Sequence, residues 1–151
     1  MPATSLLYAL LGIVAGSFLS LQAGINAQLS RGLGSPVLAS VVSFAVGLTT
    51  LLLGAWASGA VLPTRAMAAS LPAYAWFGGG VVGAAYMVAN VFLTPRIGTA
   101  AMMSLAICGQ LLAALAIDQL GLLGLATRPV GPARVLGAAM LLGGAFLITR
   151  F

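Results

Sequence analysis

Apolar residues fill five long stretches of this chain, and polar residues gather in the turns between them. The stretches run from about Leu6 to Ala27, Pro36 to Ala57, Ala73 to Leu93, Gly98 to Leu120 and Ala133 to Arg150. Runs near 20 residues match the hydrocarbon core of a bilayer, roughly 30 Å thick. Only helices and closed barrels satisfy their backbone polar groups in lipid. A barrel needs stretches of about ten residues with alternating polarity, and none occurs. The pattern predicts an all-α integral membrane protein, with five transmembrane helices in a single domain over residues 1–151.

Breaker residues set the expected boundaries. The Ser30-Arg31-Gly32-Leu33-Gly34-Ser35 stretch reads as the turn that ends the first helix. Pro36 opens the second, since proline at the first helical position loses no hydrogen bond. Ser58–Leu71, with Pro63 and Arg65, reads as a loop, and Thr94-Pro95-Arg96 as the close of the third helix. Gly121, Gly124, Pro129, Gly131 and Pro132 mark a second loop. Trp56, Tyr74 and Trp76 flank one turn, where an interfacial aromatic belt belongs. The first stretch lacks a basic leader and is as long as the others, so it reads as a span rather than a cleavable signal.

Composition agrees with a membrane class. The 151 residues are 62% hydrophobic and 5% charged, against about a quarter charged in ordinary soluble domains. A basic pI in a soluble protein would raise nucleic acid as a partner, but these arginines form no basic face and read as interfacial anchors. Walking the turns puts Arg65, Arg128 and Arg134 on the N-terminal side and Arg31, Arg96 and Arg150 on the other, three against three. Lys/Arg asymmetry normally sets the direction of insertion. An even count gives no preferred orientation, so the chain can insert both ways and pair with its own inverted copy.

Polar residues within the spans are the candidate site. Gln22 and Asn26 are four apart, on one helix face that also carries Gly12 and Gly16. Gln28 reads as a wet helix end. Asn90 lies in the last turn of the third span, nearer the same membrane face as Gln22 and Asn26. Amides both donate and accept, so they suit a neutral polar or zwitterionic solute; interhelical hydrogen bonding is the alternative role. Gln110 lies near mid-depth of the fourth span, where transporter sites are found. Asp118 follows about 12 Å further along the axis. It is the only acid, read either as a coupling carboxylate or as an ion-pair partner of Arg128 or Arg134. Gly12/Gly16 and Gly79/Gly83 are small-xxx-small pairs, which permit close helix approach or a sliding interface.

Several chemistries drop out. The chain has no His, no Glu and one cysteine, Cys108. A metal site of ordinary ligands within one chain and a Ser/His/Asp triad are thereby excluded. No Walker-type loop occurs, so ATP does not drive it directly. The reading is a non-enzyme without cofactor or metal, its partners a lipid bilayer, an antiparallel copy of itself and a small polar solute.

The stretch Leu21-Gln22-Ala23-Gly24-Ile25-Asn26-Ala27-Gln28-Leu29, then Gly34-Ser35-Pro36, Ala39, Ser43-Phe44 and Gly47, resembles the first two helices of the YdcZ family. Gly109-Gln110-Leu111-Leu112 followed by Asp118, Gly121, Arg134 and Gly137 extends the likeness over nearly the whole chain. That family belongs to the drug/metabolite transporter superfamily of the bacterial inner membrane. The resemblance implies a five-helix unit equal to one inverted-repeat half of a ten-helix EamA-like transporter, completed by antiparallel pairing with itself or a related chain. It assigns no substrate and no residue roles. The membrane-embedded glutamate of small multidrug resistance transporters is missing, which argues against proton/cationic-drug exchange of that type. The expectation is a small secondary exporter acting as a dual-topology homodimer, with a mid-membrane site of Gln22, Asn26, Gln110 and Asn90. A passive dual-topology channel and a non-transporting membrane subunit are the rival readings.

Overall fold

The computed structural model describes residues 3–151, with side chains from Ser5 onward. Six α-helices follow in order among the described residues: α1 (Ala3–Leu33), α2 (Pro36–Ala57), α3 (Arg65–Ala69), α4 (Ala73–Ile97), α5 (Thr99–Leu120) and α6 (Pro132–Arg150), with one 3-10 turn, Leu122–Gly124, before α6. All but α3 are long and apolar enough to cross a membrane. The chain is an all-helical, multi-pass membrane protein.

Local chemistry explains where the helices begin and end. α1 does not stop at Ser30 but runs on to Leu33, because a glycine within a helix costs only about 1 kcal/mol and Gly32 stays helical. Gly34, at φ 67°, makes the break, a conformation that glycine adopts without a Cβ penalty. Ser35 then caps α2: its hydroxyl accepts from Leu38 N–H at 3.3 Å, and Pro36 takes the first helical position. In the Ser58–Leu71 segment, Thr64 caps the short α3 through Met67 N–H at 3.3 Å.

α4 likewise passes through Pro95 and ends at Ile97, beyond the expected Thr94-Pro95-Arg96 stop. Pro95 has no N–H to return to the Val91 carbonyl. Only two helical residues follow it before Gly98 at φ 85°, so the helix loses one bond rather than a run. Gly121 closes α5 in the left-handed conformation, φ 60°, ψ 36°.

The chain forms two compact units, 1–93 and 94–151. In the first, α1 packs on α2. Ala39, Met87 and Val91 form its buried core, with Leu29 packed against them. In the second, α5 packs on α6, and Cys108, Ala138 and Ala145 are buried there. The Cys108 thiol points at the Leu141 carbonyl, 3.7 Å away. Most large apolar side chains face outward, among them Leu51, Phe77 and Met140, each at least 70% exposed. Helices apolar all round need a covering of lipid or protein, and the bilayer supplies it. Trp56, Tyr74 and Trp76 are exposed beside the α2–α4 connection.

The glycine pairs behave differently from the expected close packing. A Cβ at Gly12, Gly16 or Gly79 would meet nothing within 4 Å in its own unit. Gly83 alone of the four faces a neighbour, the Phe44 ring at 3.9 Å. The α1 pair is therefore no helix–helix contact within the first unit.

Candidate functional site

In the first unit, Asn26 is 4% exposed and hydrogen-bonded to two other helices. Its amide nitrogen donates to Ser43 Oγ on α2 at 3.2 Å and to Met87 Sδ on α4 at 3.3 Å. A buried amide in lipid must find such partners or pay desolvation. Asn26 thus ties α1, α2 and α4 together. Ser43 sits seven residues into α2, about 10 Å along the axis. Asn90, one turn beyond Met87 on α4, is also buried and donates to the Tyr86 hydroxyl at 3.4 Å.

Gln22, one turn from Asn26, is exposed. It lies about 18 Å along α1 from Gly34. Two clefts meet at this residue. One, of about 360 Å³, runs between α1 and α2 and is lined by Phe18, Gln22, Asn26, Ser43 and Val46 among others. The second, of about 250 Å³, is lined by Gln22, Ser43, Phe44, Gly47 and Met87 with two leucines. Gln22 and Ser43 are shared by both. No lining residue of either cleft is charged. The walls are apolar and the polar atoms are neutral amides and a hydroxyl, a set that binds through hydrogen bonds.

Of the expected site residues, the structure therefore joins Gln22 and Asn26 along one cleft and places Asn90 in the same unit. Gln110 belongs to the second unit, exposed on α5 and without a hydrogen bond among the described residues. Asp118 is also there, half-buried, its Oδ2 accepting from Arg134 Nη1 at 3.1 Å. Of the two candidate partners, Arg134 holds the carboxylate side chain. Arg128 reaches the Asp118 backbone instead, its N–H donating to that carbonyl at 2.8 Å. Gln28 is exposed, but since α1 runs on to Leu33 it lies more than one turn before the helix end rather than at it.

Ser43 and Met87 were not among the residues expected to form a site. A serine inside an apolar helix usually returns its hydroxyl to its own backbone, so sequence gives it no role. Its position next to Phe44 and one turn before Gly47 was the available signal. Among the described residues, no group of three or more His, Cys, Asp or Glu side chains could hold a metal ion.

No curated protein and no solved structure matches this chain. A family model described as "Putative inner membrane exporter, YdcZ" matches residues 7–147. That range takes in every described polar residue of both units discussed above, from Gln22 to Arg134. With five membrane-spanning helices and a match over almost its full length, the chain is a multi-pass inner-membrane protein that belongs to the YdcZ exporter family.

Proposed function

We propose that this chain is one half of a secondary exporter, completed by an inverted copy of itself into a ten-helix homodimer. The observation that carries the pairing is the even split of its six arginines, three to each side of five spans. Short-loop Lys/Arg bias sets orientation, and here it is nil. Two inverted halves make the inward- and outward-open states near mirror images, the usual basis of alternating access.

The solute site in this reading is the neutral cleft of the first unit. Gln22 faces the solute, Asn26 contacts it from the cleft wall, and Asn90 holds α4 behind them. Gln110, at the middle of α5 in the second unit, is a separate candidate contact. Asp118 serves as an ion-pair partner of Arg134 rather than as a coupling acid, a role supported by the 3.1 Å contact between them.

Orientation labelling tests the pairing. In a Cys108→Ala background, single cysteines go at Val61 and Phe151, which are 91% and 97% exposed and lie on opposite sides of the membrane in this topology. A membrane-impermeant maleimide should label about half of the chains at each position, as a dual-topology protein requires. Full labelling at one position and none at the other removes the antiparallel homodimer.

A further inference from the structure

Hydrogen-bond commitments in the cleft narrow the class of solute. Asn26 uses its amide nitrogen twice, toward Ser43 Oγ and Met87 Sδ. An amide nitrogen has two N–H groups, so no donor remains there. Its carbonyl oxygen is the part left to accept. Asn26 Oδ1 makes no hydrogen bond among the described residues, and Asn26 lines the larger cleft.

Ser43 is the complement. The other hydroxyls of α2 return their O–H to their own helix: Ser40 to Pro36, Thr49 to Ala45 and Thr50 to Val46, each at 2.9 Å. Ser43 makes no such bond among the described residues. Its oxygen accepts from Asn26, and its proton is left to donate into the clefts on both sides. Gln22, with no hydrogen bond among the described residues, adds a movable donor and acceptor at the same place.

We propose that this cleft recognises an uncharged group carrying a donor beside an acceptor, such as a carboxamide, on an apolar body, with Ser43 as donor and Asn26 as acceptor. The inference rests on the reading of Gln22 and Asn26 as the solute site. A primary amide fits the pair in one step: its N–H meets the Asn26 carbonyl and its oxygen meets the Ser43 hydroxyl. Phe18, Phe44 and Leu48 supply apolar wall on either side. With no charged lining residue, an ion would enter without a counter-charge, which low-dielectric sites strongly disfavour.

Met87 supplies the reporter, since its thioether touches Asn26 and lines the adjoining cleft that shares Gln22 and Ser43. The chain has six methionines, so 13C-methyl-methionine spectra in nanodiscs are simple, and Met87→Leu assigns the signal. Three probes of one skeleton are titrated: phenylacetamide, phenylacetate and 2-phenylethylammonium. The amide should shift the Met87 methyl saturably, with a Kd at least about tenfold below either ion. Ser43→Ala should raise that Kd about tenfold, the worth of one well-placed hydrogen bond. Ser43→Thr, which keeps the hydroxyl, should hold it, and Ser40→Ala should leave it unchanged. Saturable binding with an ion equal or tighter, or unchanged binding in Ser43→Ala, overturns the solute class and leaves the site standing. No saturable shift from any probe overturns both.

Discussion

Arg134 Nη1 lies 3.1 Å from Asp118 Oδ2, so the only acid of the chain pins the start of α6 to the last turn of α5. Each charge alone is badly placed. A carboxylate at a helix C-terminus and a guanidinium in a first turn both oppose the helix dipole. Paired, they offset one another. The intervening loop is fastened at the same end: Arg128 N–H donates to the Asp118 carbonyl at 2.8 Å, and Val130 N–H to Gln119 Oε1 at 2.7 Å.

The pair is about two-fifths exposed, with side chains at 41% and 35%, and exposed ion pairs contribute about 0–1 kcal/mol. Asp118→Asn should therefore lower the melting temperature by no more than about 4 °C. A double-mutant cycle with Arg134→Gln should return a coupling under about 1 kcal/mol. Solute binding should survive in Asp118→Asn. A folded variant that has lost it would return Asp118 to the solute machinery.

Gly121 is fixed by two independent constraints. Its φ of 60° is left-handed, and an added Cβ would stand 2.6 Å from Thr127 Oγ1. Gly121→Ala should cost at least the 1–2 kcal/mol typical of that backbone region, plus the clash. Gly124 has a similar φ of 75° but nothing within 4 Å, so Gly124→Ala should cost the backbone term alone. Adding Thr127→Ser, which removes a methyl but keeps the oxygen, should rescue Gly121→Ala little, whereas Thr127→Ala should rescue it in part. Melting curves of the four variants decide this; equal losses for Gly121→Ala and Gly124→Ala would discard the steric component.

The five spans were readable because lipid allows only helices and closed barrels, and unbroken apolar runs near 20 residues fit the first and not the second. Their ends were less so. Ser30, Arg31 and Gly32 look like a turn, yet Gly34 alone takes a positive φ and breaks the chain. Pro95 looks like a stop, but a proline in the last turn removes only one bond. The Gln22/Asn26 face followed from their spacing of four. Ser43 and Met87 did not, since their link to Asn26 crosses 17 and 61 residues of sequence, and no local pattern encodes which helix lies opposite. The glycine pairs are legible only in part for a related reason: small residues permit close approach without stating which partner approaches, and of the four only Gly83 meets one, Phe44.

Asn26 and Gln22 should separate structure from binding. Asn26→Leu removes two interhelical bonds, each worth about 0.6 kcal/mol on average and up to about 1.7, so a loss of roughly 1–2 kcal/mol is expected. Gln22 is exposed and makes no hydrogen bond among the described residues, so Gln22→Leu should change stability by less than about 0.5 kcal/mol. Both should weaken binding of a neutral amide probe. Denaturation in detergent and probe titration give the two readouts side by side. A Gln22→Leu protein that binds as tightly as the parent would confine that residue to the lipid face.

Orientation should respond to single arginines, because a balanced chain has no bias to overcome. Ala60 lies in the exposed α2–α3 connection, on the side of Arg65, and Gln28 is exposed near Arg31. Ala60→Arg makes the count four against three; Gln28→Arg reverses it. An arginine near an anionic membrane surface is worth about 1 kcal/mol, which amounts to roughly a fivefold skew in orientation. The two variants should therefore tilt maleimide labelling at Val61→Cys and Phe151→Cys in opposite directions. Combining them restores four against four and should bring the ratio back to one. If antiparallel pairing is required for function, each single variant should also lose flux, and mixing the two in one membrane should recover it by supplying chains of both orientations. Labelling that ignores all three substitutions would show that something other than arginine balance sets the orientation of this protein.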